Sequence, residues 1–247
     1  MSDAMKCEFI EFPSGNGDAI QGYLARPTGQ SARGGVVVIH HLPGFDRGSR
    51  EITRRFAAMG YDAVMPNLYW RQAPQATPDD AAALVRAAGG ILDSQLIDDV
   101  TGAAALLRSL DTANGKVGVI GYCSGGRQAV LAGCNVHVDA VVDCYGAFVT
   151  GTPTDEFPLK VTNLVDQLPN LRAPLLGLFG QDDQFPSPEQ VAELSQVLSA
   201  NGKQHQIHAY PRAGHAFFNV DRDSYRVEAA LDGWDRIRDF FAHALGA

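Results

Sequence analysis

Two kinds of hydrophobic pattern alternate along the chain. Short apolar runs that are rich in β-branched residues and lack alternation are typical of strands covered on both faces. Four runs of this kind are clear and two are weaker: Gly35–His40, Asp62–Met65, Val117–Ile120 and Leu175–Phe179, then Ala140–Cys144 and Ile207–Tyr210. Apolar residues at helical spacing lie between them: Ile52–Met59, Asp79–Ala88, Asp93–Leu110, Gly126–Ala132, Pro188–Ala200 and Tyr225–Ala244. Strands that alternate with helices predict an α/β fold with a mostly parallel sheet and helices on both faces.

The N-terminal segment follows a different pattern. Cys7–Phe12 and Ile20–Arg26 alternate apolar and polar residues, with Gly, Asn and Asp between the two runs. This pattern predicts an antiparallel hairpin at the edge of the sheet. The stretch Thr150–Arg172 has no clear period, and we expect a loop with a short helix there. Because apolar strands of the same kind continue after it, residues 1–247 are predicted to form a single domain.

Composition limits the classes of partner. The 247 residues are 45% hydrophobic, which is enough to bury a sizeable core. The 28 acidic residues outnumber the 20 basic ones, and the basic residues form no patch, so we expect no nucleic-acid partner. The N-terminus lacks a basic stretch followed by an apolar run, and no segment approaches the roughly 18 apolar residues of a membrane span. We therefore expect a soluble, cytoplasmic protein with no membrane partner, present as a monomer or a homodimer.

Cysteine and histidine spacing argues against a metal site. The four cysteines contain no C-x-x-C pair, so neither a disulfide framework nor a zinc site is indicated. Cys7, Cys134 and Cys144 are assigned to packing. His205 and His208 are three apart on a predicted strand and face opposite sides, so they cannot chelate one metal ion. We expect no metal and no cofactor.

One glycine-rich turn has the context of a nucleophile. Gly121-Tyr122-Cys123-Ser124-Gly125 follows a predicted strand directly and opens the next helix. A nucleophile elbow requires a turn so tight that the positions two before and two after the nucleophile leave no room for a Cβ, and glycine occupies both. The helix N-terminus favours thiolate over thiol, and Ser124 would lend its backbone N–H to an oxyanion hole. The alternative is that Cys123 is a small buried residue in a glycine-rich turn.

The order of later residues favours catalysis. In α/β-hydrolases an acid follows a later strand and a histidine follows the last strand. Asp182 and Asp183 follow the run at Leu175–Phe179, and His215 follows the last predicted strand. Either aspartate could instead be a turn or capping residue, and the imidazole of His215 could simply hydrogen-bond to nearby backbone groups. Of the two aspartates we assign Asp182 as the acid.

With these residues the chain resembles the dienelactone hydrolase family, whose members are also called carboxymethylenebutenolidases. The matching stretches cover most of the chain and include Val36–Gly44, Pro66-Asn-Leu-Tyr-Trp-Arg71, Asn114–Gly126, Gly180-Gln-Asp182 and Ala213-Gly-His215-Ala-Phe217. The motif Gly-Tyr-Cys-x-Gly-Gly is specific, because most relatives of this fold carry serine there. The resemblance implies a triad of Cys123, His215 and Asp182, and oxyanion donors at the backbone N–H groups of Leu42 and Ser124. Family members open small unsaturated lactones, notably in the breakdown of aromatic compounds, and need no cofactor.

Two departures from the family concern the substrate. His41 stands where the family has a glutamate that helps to switch the cysteine between resting and active states, and Asn219 stands where an arginine binds the substrate carboxylate. His41 could hydrogen-bond the thiolate, line the oxyanion loop or simply fill the loop. An arginine could replace the missing one, or could belong to a salt bridge; the candidates are Arg71, Arg86 and Arg127. We expect four aromatic residues to form walls of the substrate pocket, although each could equally belong to the hydrophobic core: Trp70, Tyr145, Phe217 and Phe218.

The expected function is hydrolysis of a small unsaturated lactone or an ester through a Cys-His-Asp triad and a thioester intermediate. A general carboxylesterase or thioesterase of the same fold is the second interpretation. A catalytically silent member that binds a small ligand is the third, and the presence of all three triad residue types argues against it.

Overall fold

The fold is built around one mixed sheet, seen in a computed structural model that describes residues 5–28, 33–154 and 156–246. Its strands are β1 (Met5–Pro13), β2 (Ala19–Pro27), β3 (Gly35–Ile39), β4 (Asp62–Pro66), β5 (Val117–Tyr122), β6 (Ala140–Cys144), β7 (Leu175–Gly180) and β8 (His205–Tyr210). The helices are α1 (Arg47–Ala58), α2 (Pro78–Ala87), α3 (Asp93–Ser109), α4 (Ser124–Asn135), α5 (Pro188–Ala200) and α6 (Val227–Leu245). A 3₁₀ helix at Val165–Asn170 is the short helix expected within the loop after β6.

The sheet topology confirms the α/β class. Its strand order is β1-β2-β4-β3-β5-β6-β7-β8. β1 and β2 form the antiparallel hairpin, and β2 also pairs antiparallel with β4. All neighbouring pairs from β4 to β8 are parallel. The central strands β3 to β7 are buried along their whole length, as strands covered on both faces are.

Helix α1 begins five residues earlier than its apolar pattern predicts. Asp46 caps it, because one carboxylate oxygen accepts a hydrogen bond from the backbone N–H of Ser49 at 2.7 Å. The first turn, Arg47–Arg50, is polar, so hydrophobic spacing does not reveal it. At its other end α1 packs on α6 through Phe56, which contacts the rings of Trp234 and Phe241, both at 5.8 Å.

The carboxyl ends of the parallel strands gather the candidate catalytic segments. β5 ends at Tyr122, one residue before Cys123, and its neighbour β3 ends just before the loop that contains Leu42. β7 and β8 are paired to their last residues, Gly180 beside Tyr210, so the loops that follow them leave the sheet together. Crevices outside the carboxyl ends of such strands are where open α/β sheets bind ligands. Among the described residues no helix is long and apolar enough to cross a membrane.

Candidate active site

Cys123 lies in a strained turn between β5 and α4. Its backbone has φ 57° and ψ −123°, a conformation that non-glycine residues rarely adopt. A Cβ on Gly121 would collide with the carbonyl of Gly125, and a Cβ on Gly125 would lie 2.6 Å from the carbonyl oxygen of Ile39. Only glycine fits at both positions, as the motif indicates. The turn therefore holds the cysteine at the carboxyl end of β5, directly before the first N–H groups of α4.

The acid that contacts His215 is Asp183. Its Oδ2 lies 2.8 Å from Nδ1 of His215, and its side chain is only 3% exposed. The other oxygen, Oδ1, accepts a hydrogen bond from the backbone N–H of Phe185 at 2.9 Å, which fixes the carboxylate.

The assignment of Asp182 as the histidine's acid was wrong. After β7 the backbone N–H of Asp182 donates to the carbonyl of Ala213 at 2.9 Å, so the chain is still tied to the loop that follows β8. The chain turns at this point, because the backbone N–H of Asp183 donates to the carbonyl of Gly180 at 3.4 Å. Asp182 is consequently exposed at the rim, and Asp183 points inward.

Cys123 and His215 form an electrostatically coupled pair. Burial opposes ionisation of the thiol, but interaction with His215 and with the backbone N–H groups of Ser124 and Leu42 lowers the pKa of Cys123. Burial also disfavours the imidazolium, yet the hydrogen bond to Asp183 and the interaction with Cys123 raise the pKa of His215 to about 10. Both shifts favour a thiolate beside an imidazolium at neutral pH.

The loop after β3 brings a second backbone N–H to the sulfur. The hydroxyl of Tyr69 donates to the carbonyl of Leu42 at 2.9 Å and so fixes the peptide next to the Leu42 N–H. His40 is buried, accepts a hydrogen bond from the N–H of Leu68 through Nε2, and lies 2.9 Å from the carbonyl of His41 through Nδ1. Burial lowers the pKa of His40 to about 4, so at neutral pH it is an uncharged anchor of this loop.

The sulfur opens into a cavity of about 520 Å³, which we call the catalytic cavity. Its lining includes Cys123, Asp183 and His215 and both candidate oxyanion residues, Leu42 and Ser124. The remaining wall is mainly apolar: Tyr69, Val85, Ile91, Ala147, Phe148, Phe157, Leu159, Val161 and Phe185. Across the described ranges no three His, Cys, Asp or Glu side chains converge as they would around a metal ion.

The six pocket residues expected from sequence do not line this cavity. His41, Tyr145 and Phe218 line a second cavity of about 470 Å³, together with Asn219. His41 bonds Asp46 there at 2.8 Å and points away from the thiol. His41 and Leu42 are consecutive in the loop after β3, but they line different cavities, and only Leu42 reaches the catalytic cavity.

The other three expected pocket residues lie outside both cavities. Phe217 is fully buried and stacks on Phe218 at 4.7 Å, so it belongs to the core. Trp70 packs partly buried against the core. Arg71 binds Asp99 at 2.8 Å and Asp18 at 3.0 Å, which ties the N-terminal hairpin to α3. Tyr145 still touches the site from behind, since its ring lies 5.2 Å from the imidazole of His215.

Of the three arginines considered for a substrate carboxylate, Arg127 alone lines the catalytic cavity. Arg86 is exposed on α2, and Arg71 is held by the aspartates named above. Sequence reasoning missed most of the apolar wall: Phe148, Phe157, Leu159, Val161 and Phe185 come from loops without hydrophobic periodicity, where no sequence signal marks the inward side.

The mostly parallel sheet, the strained cysteine turn after β5 and the later Asp and His loops define an α/β-hydrolase. A model of the "Dienelactone hydrolase family" matches residues 20–245. A protein of Escherichia coli (strain K12) named "Putative carboxymethylenebutenolidase" is 34% identical over 97% of this chain and 88% of its own length. A protein of the same name from Methylorubrum extorquens is 33% identical over 94% and 79%.

A solved structure agrees with these relatives. The "Putative Dienelactone Hydrolase" from Klebsiella pneumoniae superposes with a TM-score of 0.84 at 29% identity, covering 97% of this chain and 99% of its own. The chain belongs to the dienelactone hydrolase family, and it is an enzyme of the ester and lactone hydrolase class.

Proposed function

We propose that the protein hydrolyses a small lactone or ester by covalent catalysis at Cys123. The observation that carries the proposal is the position of His215, which hydrogen-bonds the buried carboxylate of Asp183 through Nδ1 and interacts with the thiol of Cys123. A nucleophile, a base and a group that orients the base are the parts that acyl transfer requires.

In the first half-reaction the thiolate of Cys123 attacks the carbonyl carbon. The oxyanion that forms is bound by the backbone N–H groups of Leu42 and Ser124, which are the groups that interact with the sulfur in the resting enzyme. The tetrahedral intermediate then collapses, the carbon–oxygen bond of the ester breaks, and the imidazolium of His215 gives its proton to the leaving oxygen. The product is a thioester, and in a lactone the released oxygen stays attached to the acyl group.

In the second half-reaction His215 is neutral and acts as a general base. It takes a proton from water while the water oxygen attacks the thioester carbon. The carbon–sulfur bond breaks, the acid leaves, and the thiolate and imidazolium are restored together. Asp183 keeps the imidazole in one orientation during both steps.

A general carboxylesterase or thioesterase is the second candidate. The size and the apolar wall of the catalytic cavity favour it, because a cavity of about 520 Å³ has room for acyl groups larger than a small lactone. Both candidates use the same residues, so the substrate alone separates them.

The test is a panel of unsaturated lactones, aryl esters and thioesters, assayed with the wild type and with Cys123→Ala. Cys7→Ala is the matched control, because Cys7 is a free, partly buried cysteine in β1. We expect the Cys123 variant to lose turnover and the Cys7 variant to keep it. Faster turnover of aryl esters than of lactones would select the esterase. Undiminished turnover in Cys123→Ala would refute the cysteine mechanism.

A further inference from the structure

The charged groups around the catalytic cavity are mostly negative. Its described lining contains one arginine, Arg127, against the three carboxylates of Asp93, Asp182 and Asp183. His215 adds a positive charge that the thiolate of Cys123 balances. The fixed charges of the cavity would therefore repel a substrate carboxylate, whereas an uncharged substrate would bind without this electrostatic repulsion.

The single arginine already has protein partners for most of its N–H groups. Its Nη1 and Nη2 atoms lie 2.9 Å from the two carboxylate oxygens of Asp93, and its Nε and Nη2 donate to the carbonyl of Thr162 at 3.2 and 2.7 Å. Four of the five N–H groups of Arg127 are thus used, and the side chain is only 4% exposed. A substrate carboxylate could bind Arg127 only by displacing Asp93 or by lying beside it, and both cost free energy.

Aromatic rings line the side formed by the loops after β6 and β7. Phe148 lies 4.8 Å from Phe157 and 5.9 Å from Phe185, ring centroid to ring centroid. Offset and edge-on rings of this kind provide a broad apolar surface for another ring or an alkyl chain.

We propose that the catalytic cavity selects an uncharged aromatic or alkyl ester or lactone, and that it discriminates against carboxylated lactones. This inference rests on the proposed function of the same site. It assigns Asp93 as a residue that determines specificity by neutralising Arg127.

Binding to a catalytically inactive background tests the charge selection separately from the chemistry. In Cys123→Ala, calorimetric titration gives Kd for 5-methylene-2(5H)-furanone and for its carboxymethylene analogue, which differ by one carboxylate. We expect the uncharged lactone to bind at least tenfold more tightly. Adding Asp93→Asn frees Arg127. The ratio of the two Kd values should then shift at least threefold in favour of the carboxylated lactone.

Asp98→Asn is the control for the added substitution. It removes one negative charge from the same helix, and Asp98 forms no ion pair with the described residues and lies outside the cavity lining. The ratio should not change in this control. Equal or tighter binding of the carboxylated lactone in the Cys123→Ala background would overturn the inference, whereas turnover by that variant would overturn the proposed function.

Discussion

Oδ2 of Asp183 lies 2.8 Å from Nδ1 of His215, and the exposed Asp182 beside it takes no part in this contact. With Nδ1 directed to a buried carboxylate, the imidazole presents Nε2 to Cys123. The carboxylate therefore sets both the orientation of the ring and its charge, since it contributes to the raised pKa of His215.

The two adjacent aspartates give a direct test of this arrangement. We expect Asp183→Asn to lower kcat/KM by roughly 10²- to 10⁴-fold, because an amide in that place neither stabilises the imidazolium nor fixes its tautomer. Asp182→Asn is the matched control, one residue away with the same change of side chain, and should stay within about threefold of the wild type. The opposite order of effects, measured by steady-state kinetics, would restore Asp182 as the acid.

The pH dependence of Cys123 alkylation reports the thiolate. Because the pKa of Cys123 is lowered in the folded enzyme, the thiolate persists above that lowered value and is lost only as the pH falls through it. Iodoacetamide should therefore modify Cys123 at lower pH than it modifies a free cysteine, measured by the mass of the peptide that contains Cys123. Asp183→Asn destabilises the imidazolium of His215, so the midpoint of the alkylation rate plotted against pH should move to higher pH. A midpoint near that of a free cysteine in the wild type would contradict the ion pair.

Sequence patterns predicted the elements that depend on local rules. The parallel strands follow from unbroken apolar runs, and the cysteine turn follows from the glycines at 121 and 125, since no other residue fits there. The order of nucleophile, acid and histidine along the chain located the loops of the acid and of His215. These features need no knowledge of how distant segments pack.

The details that the sequence did not reveal depend on which way a side chain points in the loop after a strand. Asp182 and Asp183 have the same chemistry, but in the turn after β7, which the Asp182 N–H ties to the carbonyl of Ala213, the first is exposed and the second is buried. The same holds for His41 and Leu42 after β3. The wall residues Phe148 and Phe157 come from loops in which tertiary contacts alone decide the inward side.

Tyr69 is expected to act on catalysis through Leu42. Its hydroxyl holds the Leu42 carbonyl at 2.9 Å, and Tyr69→Phe removes this hydrogen bond with little change in shape. The Leu42 N–H would then be less well fixed toward the oxyanion, and kcat should fall by roughly three- to tenfold with a smaller change in KM. An unchanged kcat would show that this peptide needs no support from Tyr69.

Asp143 makes folding stability depend on pH. It is fully buried, Oδ1 accepts a hydrogen bond from Gly146, Oδ2 has no partner among the described residues, and burial raises its pKa to about 7. The folded state therefore retains a proton that the unfolded chain releases near pH 4, so this carboxyl lowers stability as the pH rises from about 4 to 7.

Asp143→Asn keeps the acceptor for Gly146 and removes the titration. The free energy of unfolding of the variant, relative to wild type, should rise by on the order of 3 kcal/mol between pH 4 and pH 8, measured by urea unfolding. Parallel stability profiles for the two proteins would show that the carboxyl is not held neutral in the fold.

The acyl-enzyme is the most direct test of the nucleophile. An activated aryl ester is mixed with the enzyme, quenched with acid within one turnover, and digested, and the acyl group is located by mass spectrometry. We expect the added mass on Cys123 in the wild type and no adduct in Cys123→Ala. An acyl group on the neighbouring Ser124, or full turnover with no adduct on Cys123, would contradict the cysteine mechanism.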